Sequence, residues 1–117
     1  MRLVGPVYAR GEGGERVLAV RLEDRHRNAA GVAHGGLLAT LADFALGRAI
    51  EIDADDDQPR MTVSLTTDFL KPVETGSWVE AHTRVERLGG TLAFAECSLV
   101  VDGTEVVRAR AVFAALS

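Results

Sequence analysis

An aspartate lies in the middle of one of the most apolar stretches of this 117-residue chain. In the run GLLATLADFALGRAIEI, residues 36–52, Asp43 is surrounded by Ala, Leu and Phe, and burial of an ionised carboxylate is costly unless it is compensated. If the run is helical, small residues flank this acid on both adjoining turns, at Gly36, Ala39, Thr40 and Gly47. Asp43 could act in acid–base catalysis beside a substrate channel, or it could be a structural acid held by Arg48 or by a partner chain's amide. The pattern leaves both interpretations open.

A glycine-rich turn precedes this aspartate in the sequence. His34, Gly35 and Gly36 stand where the helix would begin, and the first N–H groups of a helix have no acceptor within it. Supported by the positive end of the helix dipole, these donors could stabilise a carbonyl oxygen that becomes negative during nucleophilic attack. The plainer interpretation is a glycine-rich helix start after a loop containing Asn28, because glycine and asparagine are ordinary loop residues.

Hydrophobic patterning predicts the elements that position these residues. The run 36–52, rich in Ala and Leu and free of Pro, is predicted to be a helix, and the acidic segment 53–59 a solvated connection. Residues 23–35 show no stable period and are predicted to form a loop. Six strands are predicted at residues 2–8, 16–22, 61–70, 78–88, 92–101 and 104–116. The order is therefore two strands, one long helix and four antiparallel strands.

Two features refine the strand prediction. In the third strand Met61, Val63, Leu65 and Phe69 alternate with Thr62, Ser64, Thr66 and Asp68, as in a strand with one apolar face. Gly89-Gly90 and Asp102-Gly103 are predicted to be the two-residue turns on either side of the fifth strand.

The predicted helix carries more apolar surface than one sheet face can cover, because its apolar residues lie on nearly all sides. A sheet that wraps around the helix, with a second copy of the chain completing its burial, solves this packing problem. Dimerisation is predicted on that ground. An ordinary α+β monomer is the alternative.

Composition excludes several classes of function. The net charge of -4 argues against nucleic acid as the main partner, because such binding relies on a surplus of Lys and Arg. The longest uncharged stretch, residues 28–42, falls short of the ~20 apolar residues that a membrane span needs. His26, His34 and His82 have no spacing suited to a metal. A single cysteine, Cys97, and an N-terminus without a leader-like pattern favour the cytoplasm.

Taken together, these segments resemble a known family. Residues 28–43, NAAGVAHGGLLATLAD, resemble the signature of hotdog-fold acyl-CoA thioesterases of the PaaI-like, phenylacetate-pathway type. The resemblance covers nearly the whole chain and continues through DFLKP at 68–72 and RLGGT at 87–91. It implies a single domain over residues 1–117, of class α+β, in which an antiparallel sheet of about six strands wraps around one long central helix.

The resemblance also implies roles for individual residues. The N–H of Gly35 would bind the thioester carbonyl, Asp43 would act as general base or nucleophile, and Asn28 would position the water or the carbonyl. His34 belongs to the same catalytic signature, and Thr62 matches a hydroxyl that family members often have near the start of the third strand. The site would lie between subunits, with the acid from one chain and the asparagine and glycine from the other.

Coenzyme A contacts are implied in two further segments. Lys71 and Arg87 are candidates to bind the phosphates of CoA, and Gly89, Gly90 and Thr91 would lie beside the same group. A solvated surface is the alternative for these residues. Because CoA is part of the substrate, no separate cofactor and no metal are predicted.

The predicted function is hydrolysis of an acyl-CoA to a free acid and CoA, by a cytoplasmic homodimer that pairs into a homotetramer. The chain departs from a typical member in having no leading helix before the first strand, which concerns the acyl-pocket lid more than the chemistry. A non-catalytic acyl-CoA binding or sensing module is the main alternative, since fold does not fix function. A hydratase or dehydratase of the same fold is another, although Arg48 stands where one such branch has His.

Overall fold

A computed structural model describes residues 8–10, 15–22, 34–56 and 58–116. Its elements are β1 (Tyr8–Arg10), β2 (Glu15–Arg21), α1 (Gly35–Ala54), β3 (Arg60–Phe69), β4 (Trp78–Leu88), β5 (Leu92–Val101) and β6 (Thr104–Ala115). The predicted order of two strands, one long helix and four strands is confirmed. Most of the predicted first strand, the turn after it and the loop that carries Asn28 lie outside the described residues.

The six strands form one antiparallel sheet in the order β1-β2-β4-β5-β6-β3. β1 has only three residues, so five longer strands make up most of the sheet. The helix packs mainly against β4, β5 and β6 and touches β2 and β3 less. This arrangement confirms the predicted α+β architecture of one long helix on an antiparallel sheet. β3 lies at a sheet edge, so within the described chain one side of its backbone has no partner strand.

The core lies between α1 and the inward face of the sheet. The helix buries one side, made of Leu38, Leu41, Ala42, Ala45, Leu46, Ala49 and Ile50. Many inward sheet positions are alanine, which lets the helix approach the strands closely: Ala81, Ala93, Ala95, Ala109 and Ala111. Cys97 is buried on the same face, and burial raises the pKa of its thiol to about 12. The thiol therefore stays protonated and unreactive at neutral pH.

The helix is longer than predicted at both ends. It begins one residue earlier, at Gly35, and ends two residues later, at Ala54. It stops where Asp55 adopts a left-handed conformation (φ 47°, ψ 41°) and donates its N–H to the Glu51 carbonyl at 3.1 Å. The acidic segment that follows is largely exposed, as predicted, and Arg60 binds Asp56 through two hydrogen bonds of 2.8 and 3.1 Å and lowers the pKa of that carboxyl. No helix in the described ranges is long and apolar enough to span a bilayer.

One of the two predicted turns is confirmed and the other is displaced by one residue. Asp102 and Gly103 both have positive φ, 49° and 78°, as a type I′ hairpin turn requires. In the β4–β5 connection the Gly89 N–H donates to the Leu92 carbonyl at 2.9 Å, so the turn residues are Gly90 and Thr91 rather than Gly89 and Gly90. Neither of these glycines has positive φ.

Gly89 and Gly90 are expected to differ in their tolerance of alanine. A Cβ on Gly89 would lie 2.8 Å from the Leu92 carbonyl oxygen, whereas one on Gly90 would have nothing within 4 Å. We expect Gly89→Ala to lower the free energy of unfolding by about 1–3 kcal/mol and Gly90→Ala to change it by less than ~0.5 kcal/mol. Urea unfolding of both variants measures this difference, and equal stabilities would contradict the turn geometry.

Candidate active site

The carboxylate of Asp43 is bound by one hydroxyl. Asp43 is partly buried on α1, and its Oδ1 accepts a hydrogen bond of 2.9 Å from Thr62 Oγ1 on β3. Within the described part of the chain this hydroxyl is the only side-chain partner of the carboxylate. Oδ2 therefore keeps its capacity to accept a hydrogen bond or a proton from a bound molecule.

A β-bulge turns Thr62 toward the helix. The pairing of β3 with β6 shifts between Thr62 and Ser64, so Val63 is the inserted residue. On the two sides of the bulge Thr62 is opposite Phe113 and Leu65 is opposite Ala111, both buried under the helix. The predicted assignment of side chains to the inward and outward faces is therefore right from Ser64 to Phe69. Before the bulge the two faces are exchanged, so that Thr62 points inward. The bulge changes the direction of the Thr62 side chain and so places its hydroxyl beside Asp43.

Arg48 does not hold Asp43. The guanidinium of Arg48 binds Glu51 at 3.0 Å on the exposed side of the helix, with 52% of its own side-chain surface accessible. The interpretation of Asp43 as a structural acid paired with Arg48 is therefore wrong. Within the described residues, the side-chain partner of Asp43 is the neutral hydroxyl of Thr62 and not a cation.

The start of α1 presents backbone donors. The N-cap residue His34 is extended (φ -61°, ψ 136°) and exposed, and its side chain makes no capping hydrogen bond. The first helical bond runs from the Leu38 N–H to the His34 carbonyl at 3.1 Å, and the first turn contains no acidic residue. The N–H groups of Gly35 and Gly36 thus point out of the helix at the positive end of its dipole, where an oxyanion is stabilised.

The two glycines at the helix start have different surroundings. A Cβ on Gly35 would lie 3.3 Å from Cζ of Phe69, the last residue of β3. A Cβ on Gly36 would have no heavy atom within 4 Å. The alternation of residues in the sequence places Phe69 on the apolar face of its strand but does not predict this contact, because residues this far apart in the chain leave no sequence signal.

The small-residue face of the helix is partly occupied by packing. The Thr40 hydroxyl bonds back to the Gly36 carbonyl at 2.8 Å within the helix. Gly47 lies against the Phe113 ring, from which a Cβ would be 3.6 Å away. The turn that precedes Asp43 is thus the more open part of this face.

Gly35 and Asp43 of one chain are too far apart to act on the same atom. They are eight residues apart in a single helix, a rise of about 12 Å. The contacts of these two residues with β3 agree with this separation, since Gly35 lies at the C-terminal end of β3 and Asp43 near its N-terminal end. A carbonyl held by the Gly35 N–H therefore lies beyond the reach of the same chain's carboxylate.

The implied CoA-binding residues lie at opposite ends of the sheet within one chain. Lys71 follows the C-terminal end of β3, where its N–H bonds the Val106 carbonyl at 3.2 Å, and its side chain is exposed. Arg87 is exposed near the C-terminal end of β4, and residues 89–91 form the connection to β5 at that same end. The structure does not bring the two groups together in one subunit. Asn28 lies outside the described residues.

Comparison with known proteins gives the family. Residues 30–108 match the family model described as the thioesterase superfamily. The chain belongs to the thioesterase superfamily. A protein of Pseudomonas aeruginosa named as a suspected esterase, PA0474, is 42% identical to it over 112 residues, which is 95% of this chain and 84% of that protein. Human acyl-coenzyme A thioesterase 13 is 30% identical over 91 residues, or 78% of this chain and 64% of that protein.

Solved structures agree with this assignment to the thioesterase superfamily. A variant of the phenylacetic acid degradation protein PaaI from Thermus thermophilus superposes with a TM-score of 0.87 at 27% identity, covering 99% of this chain and 97% of that one. The predicted hotdog fold and the resemblance to PaaI-like thioesterases are thereby confirmed.

Proposed function

We propose that this member of the thioesterase superfamily hydrolyses acyl-CoA thioesters, with Asp43 as the catalytic carboxylate and the Gly35 N–H as an oxyanion donor. The proposal rests on one observation about the Asp43 carboxylate. Its Oδ1 accepts a hydrogen bond from the Thr62 hydroxyl, which leaves Oδ2 able to accept a proton. The acyl-CoA class is supported by the human relative named acyl-coenzyme A thioesterase 13.

The proposed reaction consumes one water. Oδ2 of Asp43 accepts a proton from water while the oxygen of that water attacks the thioester carbonyl carbon. The carbonyl oxygen becomes negative and is stabilised by the Gly35 N–H and the helix dipole. When the intermediate collapses, the C–S bond breaks, the thiolate of CoA leaves and takes the proton from Asp43, and the free acid remains. Direct attack by the carboxylate, through an anhydride that water then hydrolyses, yields the same products.

The Thr62 hydroxyl orients this carboxylate. Its hydrogen bond to Oδ1 fixes the rotation of the carboxyl group, so Oδ2 is directed to one place. We further propose that Asn28 positions the water or the carbonyl, and that His34, which precedes the donor glycine, shapes the approach to it.

The site is proposed to form between two copies of the chain. The distance along α1 prevents Gly35 and Asp43 of one subunit from sharing a substrate, so the donor must come from a partner. β3 offers the surface, because it is a ten-residue edge strand without Pro. A two-fold axis at its middle makes the two β3 strands antiparallel, which sets Gly35 of the partner subunit beside Thr62 and Asp43.

The same symmetry bears on CoA binding. In a dimer joined through β3, the C-terminal end of one β3 lies at the end of the sheet where the other subunit has Arg87 and residues 89–91. We propose that Lys71 of one chain and Arg87 of the other bind phosphates of one CoA, beside Gly89, Gly90 and Thr91. Pairing of two dimers into a tetramer and a cytoplasmic location remain predictions, and sedimentation of the purified protein tests the first.

Thiol release from a panel of aryl- and fatty acyl-CoAs tests the proposed activity. The expected result is turnover of at least one member, with release of free CoA matched by an equal amount of acid. Tight binding of acyl-CoA without thiol release would reject hydrolysis and favour the binding module.

A further inference from the structure

The ring of Phe69 lies against Gly35 at the start of α1, closer than a Cβ at that position would ordinarily allow. A Cβ on Gly35 would lie 3.3 Å from Cζ and 3.4 Å from Cε1 of this ring, which is tighter than ordinary contact. The backbone does not call for glycine at this position, because Gly35 is helical and its φ is not positive. The adjacent Gly36 has no such neighbour. Any residue larger than glycine at position 35 would therefore require the Phe69 ring or the helix start to shift by a few tenths of an ångström.

Phe69 is also unusually exposed for an aromatic residue on the inward face of a sheet. Its strand partner Val107 is fully buried, whereas 53% of Phe69 is accessible. Phe69 ends the edge strand β3, directly under the uncapped start of the helix. An apolar wall at this place excludes water from one side of the backbone donors, and a hydrogen bond to an oxyanion is stronger where water cannot compete.

We propose that Phe69 is a positioning residue, whose ring bounds the space at the helix start so that a thioester carbonyl, and not water, binds the Gly35 N–H. This inference rests on the proposed function and adds a residue to it. A smaller side chain at position 69 would let water or a misplaced carbonyl reach the donor, so the transition state would lose more stabilisation than the bound substrate. Added bulk at position 35 would push the ring or the helix start out of place.

Steady-state kinetics of four proteins test the role: wild type, Gly35→Ala, Phe69→Leu and the double variant. For Phe69→Leu we expect kcat to fall about tenfold while KM changes less than about threefold. We expect Gly35→Ala to reduce kcat about tenfold in the wild-type background and less than about threefold when residue 69 is Leu. Equal losses in both backgrounds would overturn the proposal, and so would a Phe69→Leu effect confined to KM.

Urea unfolding of the same four proteins tests the contact without substrate. We expect Gly35→Ala to lower the unfolding midpoint when Phe69 is present and not to lower it when residue 69 is Leu, because alanine otherwise suits a helix better than glycine does. Gly36→Ala is the matched control for stability and is expected not to lower the midpoint. Additive midpoints would overturn the steric part of the proposal. Absence of thiol release by the wild type would instead overturn the proposed function, and with it the positioning role, whatever the unfolding data show.

Discussion

Replacement of Asp43 by Asn is expected to reduce thiol release from the best acyl-CoA substrate by about 10²- to 10⁴-fold. The amide keeps the size of the carboxyl group and can still accept the hydrogen bond from Thr62, but it cannot take a proton from water or attack a carbonyl. The loss should appear in kcat, with KM changed little, because the proton is transferred only in the transition state. Steady-state thiol release with both proteins at equal concentration measures it.

Thr62→Val is the matched control for this substitution. It removes the hydroxyl that orients Oδ1 and leaves the carboxylate in place, so we expect a loss of about tenfold, well below that of Asp43→Asn. Unfolding curves should show that both variants remain folded. An Asp43→Asn protein that releases thiol at the wild-type rate would remove the carboxylate from the mechanism.

Removal of a single backbone donor is expected to have the second largest effect. Gly35 is the first residue of α1, where proline is tolerated, and His34 already has the extended conformation that a residue before proline prefers. Gly35→Pro therefore deletes one N–H without breaking the helix. If this N–H stabilises the oxyanion, kcat should fall about 10²- to 10³-fold.

Gly35→Ala is the control, because it also adds a Cβ beside Phe69 but keeps the N–H. The loss in kcat attributable to the donor is the ratio between the proline and the alanine variants. We expect this ratio to be at least about tenfold. Circular dichroism should show equal helix content in both. Equal activities would mean that the oxyanion is held elsewhere.

Much of the fold is predictable from the sequence because several local signals agree. The Ala- and Leu-rich run without Pro predicts the helix, and the Asp102-Gly103 turn is predictable because both residues tolerate the positive φ angles that a type I′ turn requires. The limits of α1 were less predictable, because helical hydrogen bonds extend through Asp53 despite its weak propensity. The turn before β5 differs by one residue because either of two adjacent glycines could close it.

Candidate site residues could be predicted only where a short segment of the sequence singles them out. Asp43 stands out because a carboxylate is unusual within an apolar helix, whereas the role of Gly35 is what the resemblance of residues 28–43 to the family signature implies. The partnership of Asp43 with Thr62 depends on a bulge at Val63, and an inserted residue in a strand gives no clear local pattern. The proximity of Phe69 to Gly35 is a tertiary contact between a strand end and a helix start, and patterning does not encode it.

The proposed mechanism requires that the donor and the acid of one active site come from different subunits. Its most direct test is to co-express Asp43→Asn and Gly35→Pro chains with different affinity tags and to purify the mixed dimers. Each mixed dimer would hold one intact site and one site carrying both substitutions, so we predict about half of the wild-type activity from two nearly inactive parents. Mixed dimers as inactive as their parents would contradict the account, because they would show that each chain must supply both groups to its own site.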